Sequence, residues 1–443
     1  MKKIIVVFLF IFMAVNIMAI GQNYLELFSK VLHLIENEYY RPVDRKKVVE
    51  GAIKGMLETL DPHSSFLDET KFKQLKEDTS GKFGGLGIEV TQKDNQIVIV
   101  DVLPKSPAAK AGLKSNDRIV EINNSSIVDL DMNQALDKIQ GKVGEEIRIG
   151  IARSGLKIIK QFLIKREIIT LEPVESSIIQ GAIVYIKIVQ FQKNTALILE
   201  KRLKSLADSI GEKKLKGIVL DLRNNPGGLL DEAVNVASVF LESGVVVSTR
   251  ARDENKRDIH YVKKSFLKYT KQPLILLING STASAAEIVT GAIQDYKRGV
   301  ILGVQSFGKG SVQAVLQLGD NIGLKLTIAE YLTPNKRKIQ ALGIKPDIEI
   351  VDLTNNDGKI EEEKFLREVD LKNHLTSVLG SEEEHNLRVS LDKKRLENNK
   401  LSSKFNPKET LDRSLLKAKE ILLNGQYTNI IKSVGSNEAN KGK

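Results

Sequence analysis

The stretch LILLINGSTASAAEIV, residues 274–289, decides how the centre of this chain is interpreted. Leu274–Asn279 is an apolar run of strand length, and Ser281–Ala286 form a turn and the first residues of a helix. A hydroxyl at the mouth of such a turn is exposed and close to aligned N–H donors. Small neighbours also let a peptide backbone approach. The stretch therefore raises the question of whether Ser281 or Ser284 is a nucleophile.

Helix capping is the competing explanation for these hydroxyls, because Ser and Thr are preferred N-cap residues. Ser281 or Thr282 fits that position well, which leaves Ser284 without a structural role. An unassisted serine is a poor nucleophile, so catalysis by Ser284 requires a general base.

The base could be a histidine or a lysine. A Ser-His-Asp arrangement stays open, because triads are assembled in space. The five histidines share no motif, and for His63, in the loop LDPHSSF, we expect a cap or loop hydrogen bond. They are His33, His63, His260, His374 and His385. Lys309 lies in SFGKGSVQAVLQL, after one apolar strand and before another, and could act if burial kept it neutral. Gln313, four residues on, lies on the same face and could orient the lysine without charging it.

A second turn that could take part in catalysis lies in GIVLDLRNNPGGLLDEAV, residues 217–234. The pattern is strand, turn and helix, and Asn224–Gly228 make a turn with small or absent side chains. Backbone N–H groups there could stabilise a developing oxyanion. Taken alone, an ordinary turn between strand and helix is the better explanation. The stretch is not a phosphate loop, because the lysine and hydroxyl required after the glycines are missing.

Strands and helices alternate from about Leu171. This alternation predicts an α/β core whose strands are covered on both faces. The predicted strands are Ile183–Ile188, Gly217–Leu222, Leu274–Asn279 and Val300–Val304, and the predicted helices include Ala196–Ile210 and Leu229–Leu241. Beyond Asp352 the charge density rises. There Leu411–Leu423 keeps a helical stripe, whereas Gly435–Lys443 is polar enough to remain disordered.

Short alternating runs with turn residues between them begin near Thr79. The segments GKFGGLGIEV and SPAAKAGLKSNDRIVEINN closely resemble the PDZ domain, although GGLG alone would indicate only a tight turn. The resemblance implies that the N–H groups of Gly85, Leu86 and Gly87 cradle a terminal carboxylate, and that the strand from Ile88 offers an open edge to a peptide. Ser115-Asn116-Asp117 departs from the usual Pro-Gly-Asp. The predicted strands are Ile97–Val102, Arg118–Ile122, Ile147–Arg153 and Lys157–Ile164, with short helices near Ala108–Ala111 and Met132–Ile139.

The N-terminus has the composition of an export signal. Met1-Lys2-Lys3 is followed by an apolar segment to Ile20, with a small-residue site for cleavage after Gly21. An uncut copy is only just long enough to span a bilayer, so cleavage is favoured over a permanent anchor. Two amphipathic segments, residues 23–39 and 48–60, then predict a helical N-terminal region.

Charge and cysteine content exclude several classes of function. The net charge is +11, but the 67 basic residues are interleaved with 56 acidic ones, so a basic surface is favoured over nucleic-acid binding. Cysteine is absent, which excludes disulfides, thiol catalysis and thiolate metal sites.

Residues 24–350 resemble the carboxyl-terminal processing peptidases, also called tail-specific proteases, which use a Ser-Lys pair and carry an internal PDZ domain. In STASAAE and FGKGSVQ the resemblance implies Ser284 as nucleophile, Lys309 as base and Gln313 as the residue that orients the lysine. DLRNNPGG matches the family's oxyanion loop. It implies a glycine amide at Gly227 or Gly228.

The oxyanion hole implied by the resemblance is completed by the Ala285 amide. Thr282 and Ala286 depart slightly from the family's residues around the nucleophile, but neither replaces a group that does chemistry. YLTPNKRKIQALGIKPDIEI, residues 331–350, resembles the family's closing strand segment, for which we expect a structural role.

The predicted fold is multidomain, α/β and α+β, with a helical N-terminal region, a PDZ domain and an α/β catalytic core of the tail-specific protease type. The expected boundaries are 1–21 signal peptide, 22–78 helical region, 79–167 PDZ domain, 168–352 peptidase core and 353–443 charged C-terminal region.

The expected function is an exported serine endopeptidase of the bacterial periplasm or envelope that cleaves proteins near their C-termini without a cofactor. Its expected partners are proteins or peptides with free C-termini. An uncleaved N-terminus could tether the protein to the membrane, and the amphipathic terminal segments could mediate assembly into a homo-oligomer. A PDZ scaffold without catalysis and an α/β acyl-transfer or hydratase enzyme are the alternatives.

Overall fold

The computed structural model describes residues 23–93, 96–128, 130–155, 158–211, 213–253, 255–356, 359–375 and 412–439. The predicted signal peptide, residues 1–21, lies outside these ranges. The chain divides into two compact units. One joins the N-terminal part up to Asp68 to Gln313–Thr327, and the other contains Glu69–Val312 and the residues from Ile328 onward.

The first unit contains helix α1 over residues 23–38, helix α2 (Arg45–Glu58) and strand β1 (Ser65–Leu67). Helix α2 begins after Asp44, whose carboxylate accepts the Lys46 N–H at 3.0 Å. Strand β1 pairs antiparallel with residues 323–325 of the long strand β18 (Ile322–Leu332). The N-terminal helices predicted from the sequence are therefore present.

The loop between α2 and β1 is organised by the buried carboxylate of Asp61. This carboxylate accepts the N–H groups of His63 and Ser64, both at 2.8 Å, and the Ser64 hydroxyl at 2.7 Å. Thr327 donates its hydroxyl to the same carboxylate at 3.2 Å. Burial opposes ionisation of Asp61, but these hydrogen bonds prevail and lower its pKa.

The second unit begins with helix α3 (Glu69–Ser80), which is absent from the elements predicted from the sequence. The predicted domain boundary at Thr79 falls inside its last turn, and the domain boundaries as a whole stay predictions. The α/β region that follows has short helices α4 (Pro107–Ala111) and α5 (Met132–Ile139). Its strands are β2 (Lys82–Gly85), β3 (Ile88–Lys93), β4 (Gln96–Val102), β5 (Arg118–Ile122), β6 (Ser125–Ser126), β7 (Glu146–Ala152), β8 (Lys160–Lys165) and β9 (Glu167–Thr170).

These strands form a sheet in the order β3-β4-β5-β7-β8, with β6 beside β5, while β2 pairs with β9. One apolar cluster fills this region, and it includes Leu86, Ile99, Ile149 and Ala135 of α5. Strand β3 lies at one end of this sheet, so its outer edge has no strand partner among the described residues.

The core of the second unit is a six-stranded sheet in the order β10-β11-β12-β15-β16-β19. Strands β11, β12, β15, β16 and β19 run parallel, and β10 is antiparallel to β11. Beside the sheet, strand β13 pairs with β14 and with residues 329–332 of β18, the strand that forms a hairpin with β17. The strands are β10 (Val174–Ile179), β11 (Ile183–Ile188), β12 (Gly217–Asp221), β13 (Val245–Ala251), β14 (Ile259–Tyr261), β15 (Leu274–Ile278), β16 (Val300–Gly303), β17 (Ser311–Gly319), β18 (Ile322–Leu332) and β19 (Ile348–Glu349).

Helices cover both faces of this sheet, as the apolar strands predicted. Ile218 and Leu220 of β12 pack into a cluster with helices α6 (Thr195–Ile210), α7 (Leu230–Phe240) and α8 (Ala285–Asp295), whereas Val219 packs on the other face. There the partners are helices α9 (Arg413–Leu423) and α10 (Tyr427–Ala439). Successive residues of a strand point to opposite faces, so an all-apolar strand requires two cores.

The C-terminal region contains a hairpin of β20 (Leu353–Asn356) and β21 (Lys359–Glu362), a 3₁₀ helix (Glu368–Asp370) and the two helices α9 and α10. The expected disorder from Gly435 is wrong up to Ala439, because these residues continue α10. The apolar side chains Tyr427, Ile430 and Ile431 of α10 pack against the sheet, which the polar composition of its end concealed. None of the helices within the described ranges combines the length and the apolar character needed to cross a membrane.

Candidate active site

Three loops meet at the carboxyl end of the parallel sheet. They follow β12, β15 and β16, which are neighbours in the sheet, and they carry the glycine turn, Ser284 and Lys309. Parallel strands direct their following loops to the same edge, so residues far apart in sequence are brought together there.

Ser284 is the N-cap of helix α8, which begins at Ala285. The expectation that Ser281 or Thr282 caps this helix is wrong. The Thr282 hydroxyl instead accepts the Asn279 N–H and donates to the Leu222 carbonyl, both at 2.9 Å. Thr282 thus fastens the serine turn to the end of β12.

The backbone of Ser284 has φ 54° and ψ −114°, a conformation that non-glycine residues rarely adopt. Such strain persists only where the surroundings fix the residue, and it concentrates at functional sites. The side chain is half-buried at the start of the helix, where backbone N–H groups are unpaired by the helix itself. The Ser284 hydroxyl is thus partly accessible and lies at the helix end that provides amide donors.

The glycine turn after β12 packs directly against Ser284. A Cβ on Gly227 would lie 2.8 Å from the Ser284 Cβ and 3.0 Å from the Ala285 nitrogen. Gly227 and Gly228 have φ values of +101° and +136°, which side chains disfavour. Both glycines are therefore required by the turn's conformation and by its close contacts.

Asn225 fixes the glycine turn relative to the serine turn. Its fully buried side chain accepts the Gly227 N–H at 2.8 Å and donates to the Ile188 carbonyl at 2.7 Å. Its carbonyl accepts the Ala283 N–H at 2.9 Å. Of the two glycine amides predicted as oxyanion donors, that of Gly227 is thus bonded within the turn.

The carboxyl group of Glu287, in the first turn of α8, joins the serine turn to the loop that carries Lys309. It is fully buried and accepts the backbone N–H groups of Ser284 at 2.8 Å, Gly308 at 2.7 Å and Lys309 at 2.9 Å. The Ser306 hydroxyl donates to it at 2.5 Å. Burial raises the pKa of Glu287 to about 7, although the four hydrogen bonds favour the ionised form.

Gln313 lies in β17, in the first unit, and its side-chain amide donates to the Thr327 hydroxyl at 3.4 Å. Its predicted action on Lys309 stays a prediction. His63 takes part in the Asp61 loop through its backbone N–H, as expected for a loop hydrogen bond. Across the described ranges, no group of three or more His, Asp or Glu side chains has a geometry that could hold a metal ion.

Comparison with known proteins identifies the family. The family models match as follows: peptidase family S41 over residues 182–358, the PDZ domain over 98–153, and the activating protease CtpB N-terminal domain over 16–71. The carboxy-terminal-processing protease of Bartonella bacilliformis is 44% identical over 321 residues, 72% of this chain and 74% of the relative. CtpB of Bacillus subtilis is 39% identical over 73% of this chain and 67% of its own. The chain belongs to peptidase family S41.

This S41 peptidase is thus a serine-type peptidase with a PDZ domain, and its substrates are proteins or peptides. CtpA of Bacillus subtilis is a further relative, 36% identical over 74% of this chain and 69% of its own. Among solved structures, the photosystem II D1 C-terminal processing protease is similar over 74% of this chain and 87% of its own, with 29% identity and a TM-score of 0.46. The peptidase family model and the named protease relatives contradict the alternative of an acyl-transfer or hydratase enzyme.

The PDZ residues predicted to bind a peptide lie at the start of the PDZ sheet of the peptidase. Gly85 ends β2 and Ile88 begins β3, the edge strand. Between them, Leu86 and Gly87 use their carbonyl groups to accept the N–H groups of Ala108 at 3.0 Å and Leu103 at 2.9 Å. Their loop is thereby fastened to α4 through its carbonyl side.

Glu287, Asn225 and Asn279 hold the loops of the candidate site together, and none of them was predicted from the sequence. The Asn279 side chain accepts the Asn224 N–H at 3.0 Å and donates to the Asn224 side-chain oxygen at 2.8 Å. One signal for Glu287 was present, because Ser284-Ala-Ala-Glu287 has the spacing of a capping box. The Ser284 N–H does donate to the Glu287 carboxylate, as that pattern requires.

Proposed function

We propose that this peptidase cleaves exported proteins near their C-termini, with Ser284 as nucleophile and neutral Lys309 as general base. Lys309 takes the Ser284 proton, the hydroxyl oxygen attacks the scissile carbonyl, and backbone amides stabilise the oxyanion. Lysine then protonates the leaving amine, and water hydrolyses the acyl-enzyme. The observation that carries the proposal is the strained Ser284 backbone, packed on the glycine turn and linked through Glu287 to the Lys309 loop.

For the oxyanion hole, we assign the donors to Gly228 and Ala285. The Gly227 amide is taken by Asn225, and the Ala285 nitrogen lies against the glycine turn beside the nucleophile. Two amide donors at a helix N-terminus favour a developing negative charge. Gln313 is assigned the orientation of Lys309, on the family resemblance alone.

The test of the dyad compares Ser284→Ala, Lys309→Ala and Lys309→Arg with the wild type on a soluble peptide. All three variants should lose at least about 10³-fold in kcat, because a serine without a neutral amine beside it is not activated. Ser281→Ala is the matched control, since it removes the exposed hydroxyl of the same turn, and it should stay near wild type. Full activity in Lys309→Ala would reject lysine as the base.

The rate should also rise with pH, because only a deprotonated lysine can accept the serine proton. A wild-type rate that is flat or favoured by acid would count against Lys309. The pH profile needs no variant, so it is independent of any effect of mutation on folding.

The proposed PDZ role is capture of the substrate's C-terminal tail by the loop Gly85–Gly87 and the edge of β3. The outer edge of β3, which has no strand partner in the part of the chain that the structure describes, supports this, because an extended peptide can add to such an edge. A peptide with a C-terminal amide should have a KM about tenfold higher than the same peptide with a free carboxylate. Equal KM values for the two peptides would show that the C-terminal carboxylate does not contribute to recognition.

Localisation in the periplasm or cell envelope is part of the same proposal, and it is supported by the composition of residues 1–21. Mass spectrometry of envelope-protein C-termini, from cells with wild-type enzyme and with Ser284→Ala, would identify substrates and cut sites together. No difference between the two sets of termini would argue against this location.

A further inference from the structure

The four hydrogen bonds to Glu287 use both oxygens of one carboxyl group. Oε1 accepts the Ser306 hydroxyl and the Gly308 N–H, while Oε2 accepts the N–H groups of Ser284 and Lys309. The side chain has no exposed surface, so water does not compete for these oxygens. A single atom thus holds the amide of the candidate nucleophile and the amide of the candidate base.

We propose that Glu287 is a positioning residue of the peptidase reaction, and that its ionised carboxylate clamps the Ser284 turn and the Lys309 loop in a fixed position relative to each other. The proposal rests on the Ser284–Lys309 mechanism. The two loops follow different strands, β15 and β16, so the sheet alone fixes only where each loop begins. A displacement of about 1 Å between reacting groups can cost roughly a hundredfold in rate, so the relative position of the two loops matters for kcat.

The loop that carries Lys309 is held by side-chain acceptors at three successive amides. Gly308 and Lys309 donate to Glu287, and Gly310 donates to the side-chain amide oxygen of Gln340 at 3.0 Å. Gln340 is itself fully buried and donates to Glu368 at 2.8 Å. The position of the Lys309 backbone therefore depends on these carboxyl and amide groups, with Glu287 providing the bond at Lys309 itself.

Ionisation of the carboxyl is needed for the full set of bonds. All four partners donate, and a protonated carboxyl must itself donate from one oxygen, so it loses acceptor capacity. Three charged residues lie on the described segments next to the Lys309 loop. Lys309 belongs to the loop itself, and Arg367 and Glu368 belong to the segment that is bonded to it, because the Glu368 N–H donates to the Phe307 carbonyl. Burial raises the pKa of Glu287 to about 7, so the clamp weakens as the pH falls through neutrality.

The test is the pH profile of kcat/KM for the wild type and Glu287→Gln. In the wild type, full activity requires the loss of two protons, one from Glu287 and one from Lys309, so log(kcat/KM) should rise with a slope of two just below pH 7. Glu287→Gln cannot ionise, and its slope should be one. At alkaline pH its kcat should be at least tenfold below that of the wild type, and its KM should stay within twofold. The reason is that the relative position of the two loops affects the chemical step more than binding.

Three variants complete the experiment. Glu232→Gln is the matched control, since its carboxylate accepts the Ala196 N–H away from Ser284, and it should keep a slope of two. Glu287→Asp keeps an ionisable group on a shorter side chain, so it should recover a slope of two with reduced kcat, and it serves where Glu287→Gln fails to fold. A slope of one in the wild type, or an unchanged kcat and slope in Glu287→Gln, would overturn the clamp. Activity in Lys309→Ala would instead reject the Ser-Lys mechanism, whatever Glu287→Gln does.

Discussion

Ser284 has a backbone conformation that only its surroundings can maintain. A residue at φ 54° and ψ −114° costs on the order of 1–3 kcal/mol, and three neighbouring interactions offset that cost. Glu287 accepts the Ser284 N–H, Asn225 accepts the Ala283 N–H, and helix α8 continues directly from Ala285. The strain therefore presents the hydroxyl at a fixed point above the glycine turn.

The contact between Gly227 and Ser284 predicts that Gly227→Ala damages catalysis. The added methyl would meet the Ser284 Cβ at 2.8 Å and the Ala283 carbonyl at 2.9 Å, on a backbone at φ +101°. We expect a fall of about 2–3 kcal/mol in the free energy of unfolding and roughly a hundredfold fall in kcat. Urea unfolding and peptide hydrolysis measure the two effects.

Gly181→Ala is the control for this substitution. Gly181 also has positive φ, at +69°, but an added Cβ there meets no atom within 4 Å. It should lose about 1 kcal/mol of stability, from backbone strain alone, and keep its kcat. Equal loss of kcat in both variants would show that the contact with Ser284 is unimportant.

The raised pKa of Glu287 also predicts how stability depends on pH. Because the folded protein holds this proton up to about pH 7 and the unfolded chain only to its ordinary value of 4.5, the folded state binds more protons between those values. The free energy of unfolding should therefore fall as pH rises through this window, by about 3 kcal/mol relative to Glu287→Gln. Urea unfolding of both proteins at pH 5 and pH 8 measures the difference. Parallel pH dependence in the two proteins would contradict the shifted pKa.

At the residue scale, local sequence patterns point to Ser284 and Lys309 as candidates, whereas the groups that hold their loops leave no comparable pattern. Ser284 and Lys309 stand in small-residue turns after apolar strands, so their local patterns are visible. The Glu287 partners come from segments about 20 residues apart, and only the packing of β15 beside β16 makes them neighbours. The buried bonds of Asn225 depend on tertiary contacts in the same way.

At the scale of elements, apolar strands and their neighbouring helices were predictable because burial on two faces leaves an unbroken apolar run. Strands β11, β12 and β15 lie within one residue of the predicted ends. Helix α3, ETKFKQLKEDTS, was missed because it buries little apolar surface, with Phe72 its one buried side chain. A helix held by so few apolar contacts gives no clear period in the sequence.

Arg223 joins the glycine turn to the C-terminal elements, and this predicts a large effect of removing it. Its guanidinium bonds to Asp221 at 2.5 Å, to Asp352 at 2.9 Å and to Asp412, the N-cap of α9, at 2.8 Å. Asp221 is only 2% exposed, so Arg223→Met leaves a buried charge without its cation. We expect a loss of about 3–5 kcal/mol in urea unfolding and faster proteolysis within α9.

Asp412→Asn is the comparison for Arg223→Met. The Asp412 side chain is 41% exposed, and water screens its ion pair, so the loss should stay below about 1 kcal/mol. If the two variants were equally destabilised, the buried pair with Asp221 would not be the main interaction.

At the scale of the whole chain, the backbone segments that precede and follow the PDZ region are both bonded to residues 189–193 of the peptidase core. On the preceding side, the Lys193 N–H donates to the Thr79 carbonyl at 3.1 Å. On the following side, the Gln192 side chain donates to the Leu171 carbonyl at 2.7 Å. The same segment reaches the glycine turn, since the Phe191 N–H donates to the Gly227 carbonyl at 2.9 Å. The anchor of the PDZ region and the support of the glycine turn are thus adjacent residues.

This adjacency predicts that Gln192→Ala affects both the anchoring of the PDZ region and catalysis. The substitution leaves the Leu171 carbonyl without its donor. It also removes side-chain atoms that lie close to Gly81, since a Cβ added to Gly81 in the wild type would lie 2.2 Å from the Gln192 side chain. Loss of one buried hydrogen bond should cost about 1–3 kcal/mol, seen as faster limited proteolysis at residues 79–82 and 170–173. We expect kcat to fall several-fold through Phe191 and the glycine turn, while KM for a tailed peptide stays within twofold, because the PDZ loop itself is unchanged. The exposed Lys193→Ala keeps its backbone bond to Thr79 and is the matched control. A change in KM alone would assign Gln192 to substrate binding and refute the link to the glycine turn.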